Sequence, residues 1–372
     1  MARLTPAGTG AIAVLALRGP SAWSLVKSLA AAPLPDEPPL GRFWLRRLVD
    51  AERGQTDDVV VAVRQWTPEP CVEIHCHGGI QVVGWLEELL TGRGATLCSW
   101  QEWEKGSLGD AVQAAALEVL TSAATARTAA IALDQFRGAF ANALRTVRSA
   151  LLADHLATAA RVLTQLESTA HVGRHLDQPW RIVIAGAVNV GKSSLANALA
   201  GYQRSVVSPQ AGTTRDVVTT LLAIDGWPVE IADTAGWRDA DGAVEQEGIA
   251  RARIAAADAE ICIWVVDAGA PPVWPDVNLR PALTVINKVD LPPAWDISSI
   301  SAVRVSAATG AGIPDLCQRL SAVLVPNPPP PGAAVAFTDA LAQGISEIAE
   351  CVRKGATSAA LEKLEGLTRE CD

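Results

Sequence analysis

The sequence predicts an α/β plus α protein. It reads as a small N-terminal α/β domain, then a helical domain divided into two segments, with a doubly wound sheet between them. Three observations predict this. From Trp180 to about Val325, β-branched runs alternate with helix-compatible stretches, as in a mostly parallel sheet covered on both faces. Residues 107–172 are rich in Ala and Leu at helical spacing and almost free of breakers. A stiff proline run at 326–331 then leads into two further amphipathic stretches. The expected domains are residues 1–100 (α/β), 101–177 (helical, first part), 178–326 (the sheet domain) and 327–372 (linker and helical, second part).

In the first domain, residues 11–17 and 58–63 and the run Cys71-Val72-Glu73-Ile74-His75-Cys76-His77 read as strands. Residues 21–32 read as a helix broken by Pro33 and Pro35, and Gly78-Gly79 turns the chain into an apolar helix over 82–90. Cys71, His75, Cys76 and His77 raise the question of zinc. Strand alternation sends His75 and His77 to one face and Cys76 to the other, and no second ligand pair follows, so ordinary strand packing is expected. The helical stretch predicts two long helices, 108–133 and 136–166, parted near Gly138, and Pro179 marks entry to the next domain. Helices are expected again at 340–351 and 358–365.

The third domain is organised around Gly186-Ala187-Val188-Asn189-Val190-Gly191-Lys192-Ser193-Ser194. A β-branched run ends at Gly186 and a helix-compatible run begins at Lys192. This is the setting in which a G-x-x-x-x-G-K-S loop turns its N–H groups, and the positive end of a helix, toward phosphate oxygens. Lys192 is expected to meet the β and γ phosphates, and the Ser193 hydroxyl to ligate magnesium. Three more motifs sit just past strand ends, where such sheets bind ligands. Asp233-Thr234-Ala235-Gly236 offers a carboxylate near the metal and an N–H for the γ-phosphate. Thr214, in Gly212-Thr213-Thr214-Arg215-Asp216, offers a second metal hydroxyl.

Asn287-Lys288-Val289-Asp290 and Ser306-Ala307 narrow the base. A carboxylate at Asp290 accepts from both N1–H and the exocyclic amine of guanine, a pattern that adenine lacks. Asn287 is expected at the far edge of the base, the Lys288 stem over its face, and the Ser306-Ala307 backbone at the guanine carbonyl. The four motifs in this order predict a Ras-like P-loop GTPase domain. Trp237 follows Gly236, so no glutamine stands there to orient the attacking water.

The chain's 372 residues, 49% of them hydrophobic and 19% charged, describe a globular protein with sizeable cores. A formal net charge of −9 excludes a basic nucleic-acid clamp, so any RNA contact is expected to be local, brief or delegated to a partner. Seven cysteines without framework spacing fit a reducing compartment. The first residues carry no long apolar core, and no run approaches the about 20 residues that span a bilayer. A cytoplasmic location without membrane contact is expected.

Taken together, Gly186 to Ser194, Val207-Ser208-Pro209-Gln210-Ala211-Gly212-Thr213-Thr214-Arg215-Asp216, Asp233 to Gly236 and Val244-Glu245-Gln246-Glu247-Gly248 resemble the bacterial tRNA modification GTPase family MnmE, or TrmE. Thr5-Pro6-Ala7-Gly8-Thr9-Gly10 and Val72 to Gly79 are similar to that family's folate-binding, dimer-forming N-terminal domain. The resemblance implies a shortened, divergent member whose GTPase domain is inserted into a helical bundle domain. Its implied role is GTP hydrolysis in wobble-uridine modification of tRNA, as a homodimer working with a flavin-dependent MnmG-like subunit. It implies potassium held by Asn189, Ser208, Gln210 and Thr213, and catalytic Glu245 positioning the water in place of the missing glutamine. It also implies folate at Glu73. Ala16, however, stands where the family carries an arginine toward folate and Ser107 approximately where it carries a lysine, which argues against folate here. The family ends in Cys-Ile-Gly-Lys, whereas this sequence ends Glu370-Cys371-Asp372. The rival expectation is a divergent paralogue, a regulatory or ribosome/RNA-assembly GTPase without folate-dependent modification.

Overall fold

The computed structural model describes residues 1–108, 111–202, 219–232, 259–275 and 279–369. The chain divides into two compact units, Met1–Asp110 and Ala111–Asp372.

The first unit runs β1 (Ala2–Arg3), β2 (Ile12–Arg18), α1 (Ala22–Leu29), β3 (Phe43–Asp50), β4 (Gln55–Gln65), β5 (Cys71–His77), α2 (Ile80–Gly92) and α3 (Trp100–Leu108). Its sheet has the order β1-β2-β5-β4-β3, with every neighbouring pair antiparallel. Alternation decides its faces. Leu15, Leu17, Val61, Val63, Val72, Ile74 and Cys76 share one core with Trp23 and Val26 of α1 and Leu86 and Leu90 of α2. Each fully buried Val, Leu or Ile among them contributes about 1.5–3 kcal/mol of hydrophobic stabilisation. On the opposite face, Ala2, Ala16 and Cys71 pack against Trp103.

The divided reading of β5 holds in the structure. Cys76 is buried, and burial pushes its thiol up to about 11, so it stays protonated at neutral pH. His75 instead lies 3.1 Å from Glu73 and His77 pairs with Asp57. The sequence reading assigns no strand to residues 43–50 and no helix to 100–108. β3 is an edge strand whose Phe43 and Leu45 stay exposed and whose Arg47 reaches across to Asp58, so it lacks a core-facing apolar run.

The second unit opens with four helices, α4 (Ala111–Ser122), α5 (Ala126–Phe136), α6 (Ala139–Leu152) and α7 (Leu156–Arg174), where two long ones are expected. Each break has a cause. Thr125 forms a capping box with Thr128, Gly138 adopts φ +99°, and Asp154 adopts φ +57°. Then follow β6 (Trp180–Gly186), α8 (Lys192–Tyr202), β7 (Thr219–Ile224), β8 (Trp227–Ala232), β9 (Ile261–Asp267), β10 (Leu283–Asn287), β11 (Val303–Arg304) and α9 (Ile313–Leu324). The last described elements are α10 (Asp339–Arg353) and α11 (Thr357–Arg369).

The sheet order is β11-β10-β9-β6-β8-β7, parallel except for the β7–β8 hairpin. The hairpin turns on Asp225 and Gly226, at φ +49° and +79°, the primed-turn geometry that suits the strand twist. Past the proline run the chain returns to the helices. Gln135 donates to the Ala333 carbonyl at 3.0 Å and accepts from the Val335 N–H at 3.1 Å, and Phe337 meets Phe140 edge-on at 5.6 Å. α10 packs along α7 and α11, burying Leu341, Ile345 and Ile348. Among the described residues, no helix is long and apolar enough to cross a membrane.

Candidate nucleotide site

β6, β9 and β10 run parallel and end together, so the loops that leave them gather at one edge of the sheet. β6 ends at Gly186, whose φ is +149°. A Cβ there would collide with the Val265 carbonyl, so only glycine lets the chain leave the sheet at this angle. The loop then passes Asn189, exposed and at φ +63°, and Gly191 at φ +93°, and Lys192 opens α8. A Cβ on Gly191 would strike the Asn287 side-chain amide. Lys192 folds back over the loop, its ammonium donating to the carbonyls of Gly186 at 3.1 Å and Ala187 at 2.7 Å. Ser193 is half-buried and Ser194 exposed in the first turn of α8.

The second wall comes from the end of β10. Asn287 is 1% exposed, and both arms of its amide are engaged: Nδ2 donates to the Val190 carbonyl at 2.9 Å and Oδ1 accepts from the Ala307 N–H at 3.0 Å. Asn287 thus ties the phosphate loop to the Ser306-Ala307 loop. The Ser306 N–H donates to the Ala311 carbonyl at 2.8 Å. Ser306 itself is fully buried, its hydroxyl accepting from the Thr309 N–H at 3.1 Å. Gly312 turns this loop at φ +74°, where a Cβ would meet the Arg304 carbonyl. Lys288, at φ +64°, donates to the Asn189 carbonyl at 2.7 Å and to Asp267 at 2.6 Å. Asp290 stands exposed one turn further on.

Gly186, Asn189, Val190, Gly191, Lys192, Asn287, Lys288 and Ala307 are thus joined by direct hydrogen bonds or close packing. Ser208, Gln210, Thr213, Thr214, Asp233, Thr234, Ala235, Gly236 and Glu245 lie outside the described residues. Asp267 is a residue that the sequence reading records only as a strand end. Its signal was its place: it closes a buried run at the same level as Asn287, its partner in the β9–β10 register. Glu73 lies in the other unit, 3.3 Å from Arg64 and 3.1 Å from His75, with Ala16 beside it in β2.

A strand–loop–helix cradle for phosphate, bridged to an Asn-Lys-x-Asp loop on a mostly parallel sheet, defines a Ras-like P-loop GTPase domain and a GTP-hydrolysing enzyme. In agreement, residues 181–290 match the family described as 50S ribosome-binding GTPase, and residues 1–104 match GTP-binding protein TrmE N-terminus. The tRNA modification GTPase MnmE of Thermus thermophilus is 33% identical over 355 residues, covering 86% of this chain and 81% of the relative. That of Alkalilimnicola ehrlichii is 35% identical over 362 residues, covering 86% and 80%, and that of Chlamydia felis 32% over 351, covering 84% and 78%. The chain belongs to the MnmE family of tRNA modification GTPases.

Proposed function

We propose that this chain is the GTP-hydrolysing switch of tRNA wobble-uridine modification, assisted by potassium and acting as a homodimer with a flavin-dependent MnmG-like subunit. The observation that carries the nucleotide part is the Asn287 bridge from Val190 to Ala307, which fixes the phosphate cradle and the base-reading loop against one another.

In this reading the loop from Gly186 to Ser194 wraps the phosphates. The Lys192 ammonium exchanges two loop carbonyls for β and γ oxygens, and Asp290 reads guanine while the Lys288 stem covers its face. The Ser193 hydroxyl, half-buried at the head of α8, fits a magnesium ligand, with Thr214 as the second and Asp233 supporting the metal. Bound magnesium neutralises charge on the phosphate oxygens. Thr234, Ala235 and Gly236 line the γ-phosphate. Asn189 is exposed at the loop's edge and fits a potassium ligand, with Ser208, Gln210 and Thr213 completing the set; bound potassium spreads positive charge between the phosphates. Glu245 positions the water.

Folate does not fit as well. The Glu73 carboxylate is already paired with Arg64 and His75, and its neighbour across the strand is Ala16, which brings no charge. No step here runs through folate.

The acidic balance favours delegating most tRNA contact to the partner subunit, and a cytoplasmic setting follows from the substrate. The paralogue reading gains no support from the similarity, which spans both matched regions. Mass spectrometry of tRNA nucleosides after deletion of the gene tests the proposal: modified wobble uridines are expected to disappear, and an unchanged nucleoside profile overturns it.

A further inference from the structure

The Lys288 ammonium is held from two sides. The Asn189 carbonyl takes one hydrogen bond at 2.7 Å, and the Asp267 carboxylate takes another at 2.6 Å. Asp267 is itself fixed at three points. Its Oδ1 accepts from the Gly269 N–H at 2.8 Å, its backbone carbonyl accepts from the Trp295 indole at 2.9 Å, and its strand is registered against β10 at Asn287. The Asp267 side chain is 14% exposed and that of Lys288 33%. Trp295 is locked in turn, edge-on to Trp274 at 5.8 Å and packed on the core that includes Val266 and Trp264. A lysine carries a flexible four-carbon stem and gives up much rotamer freedom when it is fixed over a ligand. A carboxylate that fixes it beforehand removes part of that cost from the binding step.

We propose that Asp267 is a positioning residue for the guanine nucleotide, holding Lys288 against the phosphate loop so that its stem is already placed over the base, with Trp295 setting the level of Asp267. This rests on the nucleotide reading above, in which Lys288 covers the base. The carboxylate does not touch the ligand, so its effect must pass through Lys288.

The test is a double-mutant cycle on the full chain, read by stopped-flow binding and release of a fluorescent GDP analogue. Lys288→Met is expected to weaken binding tenfold or more. Asp267→Asn, which keeps an acceptor for Gly269, is expected to weaken it about three- to tenfold, mainly through faster release, with Asp267→Glu restoring part of the loss. The double variant should bind no more weakly than Lys288→Met alone. If Asp267→Asn costs the same factor with or without Lys288, or costs nothing while Lys288→Met is weak, the positioning role is wrong and the nucleotide site stands. If Lys288→Met binds as tightly as the parent, the nucleotide reading and the positioning role fall together.

Discussion

Asn287 donates to the Val190 carbonyl across 97 residues of sequence, at 2.9 Å and out of contact with water. With Ala307 on its other arm, one side chain sets the distance between the phosphate loop and the base-reading loop. Replacing it by Ala leaves the buried Val190 carbonyl and the part-buried Ala307 N–H without this partner, at up to about 1–3 kcal/mol each. Asn287→Ala is therefore expected to lose at least about tenfold in GDP affinity, measured by titration with a fluorescent analogue, and to lower the unfolding temperature. Unchanged affinity would show that the bridge does not shape the site.

The β7–β8 hairpin is clasped by helices from both sides. Arg127 of α5 donates to the Asp225 carboxylate at 2.8 Å and lies 4.7 Å from the centre of the Trp227 ring, and Ser321 of α9 donates to the same carboxylate at 2.9 Å. The ion pair is largely exposed, so it and the cation–π contact together are worth on the order of 1 kcal/mol. Arg127→Ala should lower the melting temperature by about 2–4 °C or less. Partial burial pushes the Asp225 carboxyl up, but the hydrogen bonds from Arg127 and Ser321 outweigh it and hold the group below its ordinary 3.8. A folded-state value below the unfolded one means that this stabilisation is complete above about pH 4 and is lost as the pH falls through the depressed value. Chemical denaturation across that range should therefore be less steeply acid-sensitive in Arg127→Ala than in the parent.

Hydrolysis should depend on the monovalent cation. Steady-state GTP turnover in potassium is expected to exceed that in sodium at equal ionic strength by tenfold or more, the order of effect of a charge placed among transferring phosphates. Equal rates in the two salts would remove potassium from the mechanism.

The role proposed for Glu245 predicts a separation of binding from chemistry. Glu245→Ala should bind GTP as the parent does and turn it over at least about a hundredfold more slowly, the usual loss when a group acting only in the transition state is removed. An unchanged turnover number would take that role away from it.

The sequence was most legible where physical chemistry leaves few alternatives. Gly186 and Gly191 had to be glycine because of Val265 and Asn287, and Lys192 follows where a helix can start. Burial made β6, β9 and β10 visible, since both faces of each are covered and their runs are almost continuously apolar. Where local signals were weaker, the reading erred. Asp154 in a left-handed turn splits an otherwise helical run with no glycine or proline to announce it. The Asp225-Gly226 dipeptide is a hairpin signal that the sequence reading does not use, and the exposed Leu221 blurs the core pattern of β7. The role of Asn287 was hidden because residue type shows that an amide is needed, not which partners it meets after 97 residues of intervening chain. Asp267 was missed for the same reason: its partner Lys288 is 21 residues away and becomes its neighbour only through strand register.

The central claim is that the cradle between Gly186 and Ala307 holds a guanine nucleotide because Asp290 can satisfy N1–H and the exocyclic amine together. The most direct measurement is competition of GTP and ATP for the purified chain against a bound fluorescent GDP analogue. A site built on such paired hydrogen bonds rejects the base that cannot make them, so GTP is expected to compete at least about a hundredfold better than ATP. Equal competition by the two nucleotides, or displacement by neither, would contradict the account.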